Sequence, residues 1–254
     1  MDRLNGNRLG AWKVNGISHD LGRRDFLRRG MMATAALTGS WLGLPGPAKI
    51  ARGAARARPN IVFIMADDMG YGDPGCYGQD KIQTPHMDRL AKGGIRFTQA
   101  YAGGTVCTPS RSCLMTGTHG GHTSARDNVP HFHKYLEESD VTIAEVLKKA
   151  GYRCGGVGKW SLGTAGSDSE ATKRGFDMFF GYLDQDHAHW YYTNYLEDNT
   201  GKYQMPGNRE THSHYSHHLM VDRALEFIRQ SRDGPFFLYG AFTLPHFGKE
   251  QEDP

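Results

Sequence analysis

The stretch of this chain best suited to chemistry is residues 107 to 117, C-T-P-S-R-S-C-L-M-T-G. Thr108 is a good helix-capping residue type, and Pro109 suits a first helical position because its ring presets φ and it has no N–H to leave unpaired. A helix is therefore expected to start here with Cys107 at its mouth. Its free N–H groups and positive dipole end favour an anion beside the cysteine. Arg111 follows four residues after Cys107, so it can reach back one turn to fix the reactive group or hold an oxyanion. For an arbitrary cysteine, burial as a small apolar residue is the simpler account. The length and mixed composition of this run argue against that account here.

The run C-x-P-S-R followed by L-M-T-G resembles the signature of the type I sulfatases. In that family a formylglycine-generating or sulfatase-maturating enzyme oxidises this cysteine to Cα-formylglycine, and the resemblance makes Cys107 the nucleophile. An aldehyde also makes chemical sense. A serine that attacked a sulfate monoester would be left as a slowly hydrolysed sulfate ester. A hydrated aldehyde has two hydroxyls: one attacks sulfur and expels the alcohol, and deprotonation of the other re-forms C=O and ejects sulfate.

The remaining candidates lie at the ends of apolar runs. Ile61 to Ala66 reads as a strand buried on both faces and ends in Asp67-Asp68, at the carboxyl end where open α/β sheets bind ligands. An isolated acidic pair would be a turn or a cap. Followed by Gly70-Tyr71-Gly72-Asp73, it resembles the sulfatase metal segment, which implies calcium held by Asp67, Asp68 and the oxidised Cys107. Carboxylate oxygens suit such a hard cation. Lys159 in G-K-W-S-L-G resembles the family lysine that contacts sulfate oxygens. His246 closes P-F-F-L-Y-G-A-F-T-L-P-H, similar to the family segment whose histidine assists departure of the alcohol, and histidine is a natural general acid near neutral pH. Many sulfatases carry a histidine where this chain has Ser161, and serine is a poor base. His189, or as second choice His187, is expected to supply that base, with structural packing as the open alternative.

These residues need elements to hold them. Thr84-Pro85 should open a short helix with Met87, Leu90 and Ala91 on one face, and Ile95 to Ala100 reads as a strand or extended segment. Thr142 and Glu145 form a capping-box pattern for a helix that ends at Gly151. Tyr152 to Val157 is an expected strand, Ser216 to Gln230 an amphipathic helix and Pro235 to Thr243 another strand. The alternation argues for an α/β fold. The resemblance implies the alkaline-phosphatase-like sulfatase fold, a mixed central sheet flanked by helices. Its C-terminal part is expected to be missing, because sulfatases carry an Asp-Asn metal pair and a further lysine that would lie beyond Pro254.

Composition bounds the rest. The chain has 254 residues, 38% hydrophobic and 22% charged, enough for one sizeable core. The formal charge of +3 conceals a leader, residues 1–57, with ten Lys/Arg against three Asp/Glu. The remainder is net acidic, and nothing in this balance points to nucleic acid. The leader carries Arg23-Arg24-Asp25-Phe26-Leu27-Arg28, a weakly apolar stretch and an A-x-A site at Ala55 to Ala57. It resembles a twin-arginine signal peptide, implying the twin-arginine translocase as a partner and a periplasmic or extracellular destination. Residues 58–254 are then the N-terminal portion of a sulfatase catalytic domain. Cys76, Cys113 and Cys154 are expected to be structural. The cluster His212, His214, His217 and His218 fits no strong zinc spacing, and Arg126-Asp127-Asn128, downstream of Gly117, could line the same pocket, with a turn as the simpler account. The expected function is hydrolysis of sulfate esters of a small molecule or glycan. The alternatives are a non-catalytic sulfate- or glycan-binding remnant and a related phosphoester hydrolase.

Overall fold

The computed structural model describes residues 58–128 and 135–249, so the expected leader lies outside the described residues. Six strands form one mixed sheet: β1 (Ile61–Asp67), β2 (Arg153–Lys159), β3 (Met178–Tyr182), β4 (Tyr195–Asp198), β5 (Gly201–Gln204) and β6 (Phe236–Pro245), in the order β1-β6-β2-β3-β4-β5. The pairs β1–β6, β6–β2 and β2–β3 are parallel, and β3–β4 and β4–β5 are antiparallel. Helices α1 (Pro85–Gly93), α2 (Cys107–Thr116), α3 (Ile143–Lys149), α4 (Asn208–Thr211) and α5 (Ser216–Gln230) connect them. The expected α/β architecture with a mixed sheet and flanking helices is what forms.

Strand β6 shows why the sheet is two-sided. Phe237, Tyr239 and Ala241 point into a core with Met115 of α2, Ala144 of α3 and Trp160, while Phe236 and Leu238 point into a second core with Met220, Ala224 and Phe227 of α5. The strand period of two thus feeds both layers from one apolar run. The neighbouring β2 is glycine-rich because its surroundings leave no room: a Cβ on Gly155 would sit 2.7 Å from the Phe227 ring, and one on Gly158 would sit 2.0 Å from the Ala241 carbonyl oxygen. Gly158 also has φ of 99°, which favours glycine.

The capping box forms as expected: the Thr142 hydroxyl accepts from the Glu145 N–H at 3.1 Å, and the Glu145 carboxylate accepts from the Thr142 N–H at 2.7 Å. One expectation is corrected. Strand β1 is not buried on both faces: it is an edge strand among the described residues, with Val62 at 49% and Ile64 at 64% exposure. Ile61 and Met65 of its apolar run pack against the core, whereas Val62 and Ile64 face outward and stay exposed. Of the two forms expected for Ile95 to Ala100, a strand or an extended segment, the strand does not form, and Ile95 and Phe97 are exposed. The apolar face of α1 is likewise open, with Leu90 exposed.

Candidate active site

Because β1, β2, β3 and β6 run parallel, their carboxyl ends share one edge. That edge receives Asp67 and Asp68 from β1, Lys159 from the end of β2 and His246 from just beyond β6. The start of α2 delivers Cys107 to the same place, with its Sγ 3.5 Å from Asp67 Oδ1.

Helix α2 begins at Cys107 rather than after a Thr108 cap, and Val106 in the capping position has φ of 59°. The Thr108 side chain is committed elsewhere: its hydroxyl lies 2.9 Å from the Ser161 hydroxyl, and its N–H donates to Asn128 Oδ1 at 2.9 Å. Asn128 therefore satisfies an N–H of the first turn from twenty residues away, and Pro109 still falls where an absent N–H costs nothing. The helix ends at Gly117, whose φ of 67° lets its N–H close on the Cys113 carbonyl.

Asp67 is the electrostatic centre. It is 5% exposed, and its Oδ2 accepts from Lys159 Nζ at 2.8 Å while Oδ1 lies 3.5 Å from Arg111 Nη2. Both cations are fully buried. Burial pushes the Asp67 carboxyl up, but Arg111 and Lys159 outweigh it and hold the group below its ordinary value. Arg111 Nη1 donates to the Lys159 carbonyl oxygen and, at 3.5 Å, to the Tyr239 hydroxyl, whereas Nε and Nη2 are buried without a hydrogen-bond acceptor. Arg111 thus spans from α2 to β2 and retains donor capacity for an anion.

Two imidazoles complete the edge. His246 Nε2 lies 3.4 Å from Asp68 Oδ2, and Nδ1 is 2.7 Å from the Phe247 carbonyl oxygen. A carbonyl can only accept, so Nδ1 donates to Phe247, and Nε2, which faces the Asp68 carboxylate and carries the second proton of the imidazolium, is the working nitrogen. His189 stacks on His246 with centroids 4.4 Å apart, and its Nε2 is 3.4 Å from Lys159 Nζ. Burial first, then the charges of Lys159 and His246, depress His189 to about 4, so it is neutral near pH 7 with a lone pair toward the lysine. His187 does not join them: its Nε2 pairs with the Thr193 hydroxyl at 2.6 Å, and its ring packs between Tyr182 and Tyr195. Ser161, with φ of 63°, turns its hydroxyl toward Thr108 and the Gln185 carboxamide. Three of the four non-glycine residues with positive φ among the described residues, Asp68, Val106 and Ser161, converge on this edge. Each costs roughly 1–2 kcal/mol, the kind of strain that gathers at functional sites.

Asp67, Asp68 and Cys107 each bring one ligand atom within 4.8 Å of the others, the one such His/Cys/Asp/Glu group among the described residues. The histidines at 212 to 218 form none, and His217 is instead buried against Phe242 and Tyr215. The four cysteines are unpaired; Cys113 and Cys154 are buried.

A family model described as Sulfatase matches residues 59–254. The chain belongs to the sulfatase family. It is 35% identical over 212 residues to an arylsulfatase of Hemicentrotus pulcherrimus, covering 76% of this chain and 38% of that protein. It is likewise 35% identical to human arylsulfatase A over 226 residues, covering 78% of this chain and 43% of that protein. Among solved structures, Ps i-CgsB superposes with a TM-score of 0.64 at 29% identity over 74% of this chain and 45% of that one. A second match, BT4656, solved in complex with its substrate D-glucosamine-2-N,6-O-disulfate, gives a TM-score of 0.61 at 29% identity, covering 74% of this chain and 35% of that one. This sulfatase chain thus spans less than half the length of these relatives.

Of Asn128, Gln185, Tyr191 and Tyr239, only Asn128 has a site reading in the sequence, as the second account of residues 126 to 128. Their contributions are hydrogen bonds to Thr108, Ser161, the His246 backbone and Arg111. The only forward signal was the position of Asn128 in a turn just downstream of α2.

Proposed function

We propose that this protein hydrolyses sulfate esters at the edge built by Asp67, Asp68, Cys107, Arg111, Lys159, His189 and His246. The observation that carries the reading is the Asp67–Asp68–Cys107 group, its ligand atoms within 4.8 Å, set against two buried cations. Formylglycine made from Cys107 supplies, as its hydrate, one hydroxyl to attack sulfur and a second whose deprotonation releases sulfate. Asp67 and Asp68 fit calcium in donor type, being hard oxygens, though two carboxylates fall short of its usual six to eight donors. With the oxidised Cys107 they would hold the ion, which offsets negative charge when bound.

The chain's own residues do the rest. Lys159 and Arg111, whose Nε and Nη2 have no hydrogen-bond acceptor, bind sulfate oxygens, and their burial strengthens that attraction relative to water. His246, acting as the imidazolium, gives its Nε2 proton to the departing alcohol oxygen and keeps Nδ1–H on the Phe247 carbonyl. His189, neutral near pH 7, accepts the proton of the second hydroxyl. Ser161 supports the start of α2, donates its hydroxyl proton to the Gln185 carboxamide and takes no part in proton transfer. The substrate class is a sulfated small molecule or glycan, in keeping with a structural neighbour solved with D-glucosamine-2-N,6-O-disulfate. A formylglycine-generating or sulfatase-maturating enzyme converts Cys107. Export proceeds by the twin-arginine translocase, so changing Arg23 and Arg24 to Lys leaves uncleaved protein in the cytoplasm; normal export of that variant contradicts the route.

The test of activity uses protein made in its own host and supplied with calcium. It should hydrolyse an aryl sulfate far faster than an aryl phosphate of the same phenol, and Cys107→Ala should be inactive. Preference for the phosphate, or equal turnover by the Cys107→Ala variant, rejects the reading.

A further inference from the structure

We propose that Tyr191 is a positioning residue: its hydroxyl fixes the backbone of His246 and thereby sets the His246 ring against His189. The inference rests on the reading of His246 as proton donor and adds what holds that donor in place. The backbone of His246 is gripped from two directions. Its N–H donates to the carbonyl oxygens of Asp67 and Thr243, both at 3.1 Å. Its own carbonyl oxygen accepts the Tyr191 hydroxyl, which also lies 3.3 Å from the Thr243 carbonyl oxygen. The first grip ties the histidine to the metal-site strand, and the second ties it to the turn that carries His189.

Tyr191 is suited to this because it is itself anchored. Its ring is 8% exposed, and its carbonyl oxygen accepts the N–H of Ser216 at the start of α5. The preceding carbonyl, of Trp190, accepts the Tyr182 hydroxyl at 2.8 Å, and that hydroxyl also reaches Ser216 Oγ at 2.7 Å. The turn therefore rests on β3 and α5 rather than on solvent. His189 lies two residues from Tyr191 in the same turn, so one rigid segment presents an imidazole face and a hydroxyl to the same partner. Lys249 repeats the link further out through its ion pair with Asp186, but that pair is partly exposed and screened. A donor proton must be held within hydrogen-bond reach of the leaving oxygen, and the described residues beyond β6, 246–249, form no strand or α-helix that could do this.

The test is Tyr191→Phe in the full chain, which keeps the buried ring and removes only the hydroxyl. Proton NMR of the wild type should show through-space contacts between the His189 and His246 ring protons, and mutual ring-current shifts. In Tyr191→Phe these contacts are lost or fall severalfold, while the melting temperature and amide dispersion stay close to wild type. A role confined to general stability would instead lower the melting temperature and leave the ring contacts of the folded fraction intact. That outcome overturns the proposal, as does an unchanged spectrum. A measurement on the unaltered chain stands even if the variant does not fold. The Tyr191 hydroxyl proton should exchange slowly and show contacts to Thr243 and His246, and its absence from a spectrum that resolves other buried hydroxyls contradicts the inference. None of these readouts needs turnover, so failure of the sulfatase reading in the activity assay is distinguishable from failure of this one.

Discussion

Removing the charge of Asp67 tests the electrostatics of the site most sharply. Two buried cations share this one carboxylate, Lys159 at 2.8 Å and Arg111 at 3.5 Å. Asp67→Ala leaves both without their counter-charge in a place that water barely reaches. Breaking a buried ion pair by deleting one partner costs about 3–5 kcal/mol, and here a single deletion strands two cations, so the upper part of that range is expected. Lys159→Met differs in kind: Asp67 keeps Arg111, and net charge in the site falls. Its cost should be less than half that of Asp67→Ala. Urea denaturation of the two variants beside wild type reads both values. Linkage adds a pH signature, because the carboxyl is held below its ordinary 3.8. The stability it contributes is full above that unfolded value and is lost as pH falls through the lower folded value. Wild type should therefore lose stability more steeply below about pH 4 than Asp67→Asn. The reasoning is refuted if Asp67→Ala costs under ~1 kcal/mol, the level of an exposed ion pair, or if Lys159→Met costs as much.

Two further outcomes follow from packing and burial. Gly158→Ala would place a Cβ 2.0 Å from the Ala241 carbonyl oxygen at a φ of 99°; a loss above ~4 kcal/mol, or no soluble protein, is expected, and near-wild-type stability in a denaturant titration would show that β2 and β6 pair differently. His217, buried against Phe242 and Tyr215, is pushed down to about 4, chiefly by burial with a smaller contribution from the charge of His218. Its unfolded form binds a proton first, so stability should fall as pH drops from about 6.5 to 4, by roughly 3 kcal/mol at most from this group. His217→Gln should flatten that slope, and an unchanged slope contradicts the burial account.

Much of this site was legible because its residues sit in motifs placed at strand ends. Asp67-Asp68, Lys159 and His246 each follow an apolar run, and parallel pairing brings such ends to one edge whatever the intervening chain does. Helix α5 and the capping box of α3 were legible for local reasons, periodicity and a three-residue spacing. Strands β4 and β5 were not, because Y-L-E-D and G-K-Y-Q carry no apolar alternation and become strands through pairing, β4 with both β3 and β5 and β5 with β4. The exposure of β1 was hidden for the converse reason: its composition reads as buried, while the covering of its side chains is a tertiary matter. The start of α2 was misplaced because Thr108 prefers a distant Ser161 hydroxyl to its own helix. Asn128, Gln185 and Tyr191 act across 20, 24 and 55 residues, separations at which no local pattern speaks.

The central claim is that Cys107 is a nucleophile precursor placed beside a carboxylate pair, and one measurement addresses it directly. Protein made in its native host should be digested and the peptide spanning Thr105 to Arg111 weighed and trapped with a hydrazide. The account predicts an aldehyde at position 107 in place of the thiol, reactive toward the hydrazide, with Cys113 and Cys154 still as thiols in their own peptides. Unmodified thiol at Cys107 throughout, in cells that convert a control sulfatase, would contradict it.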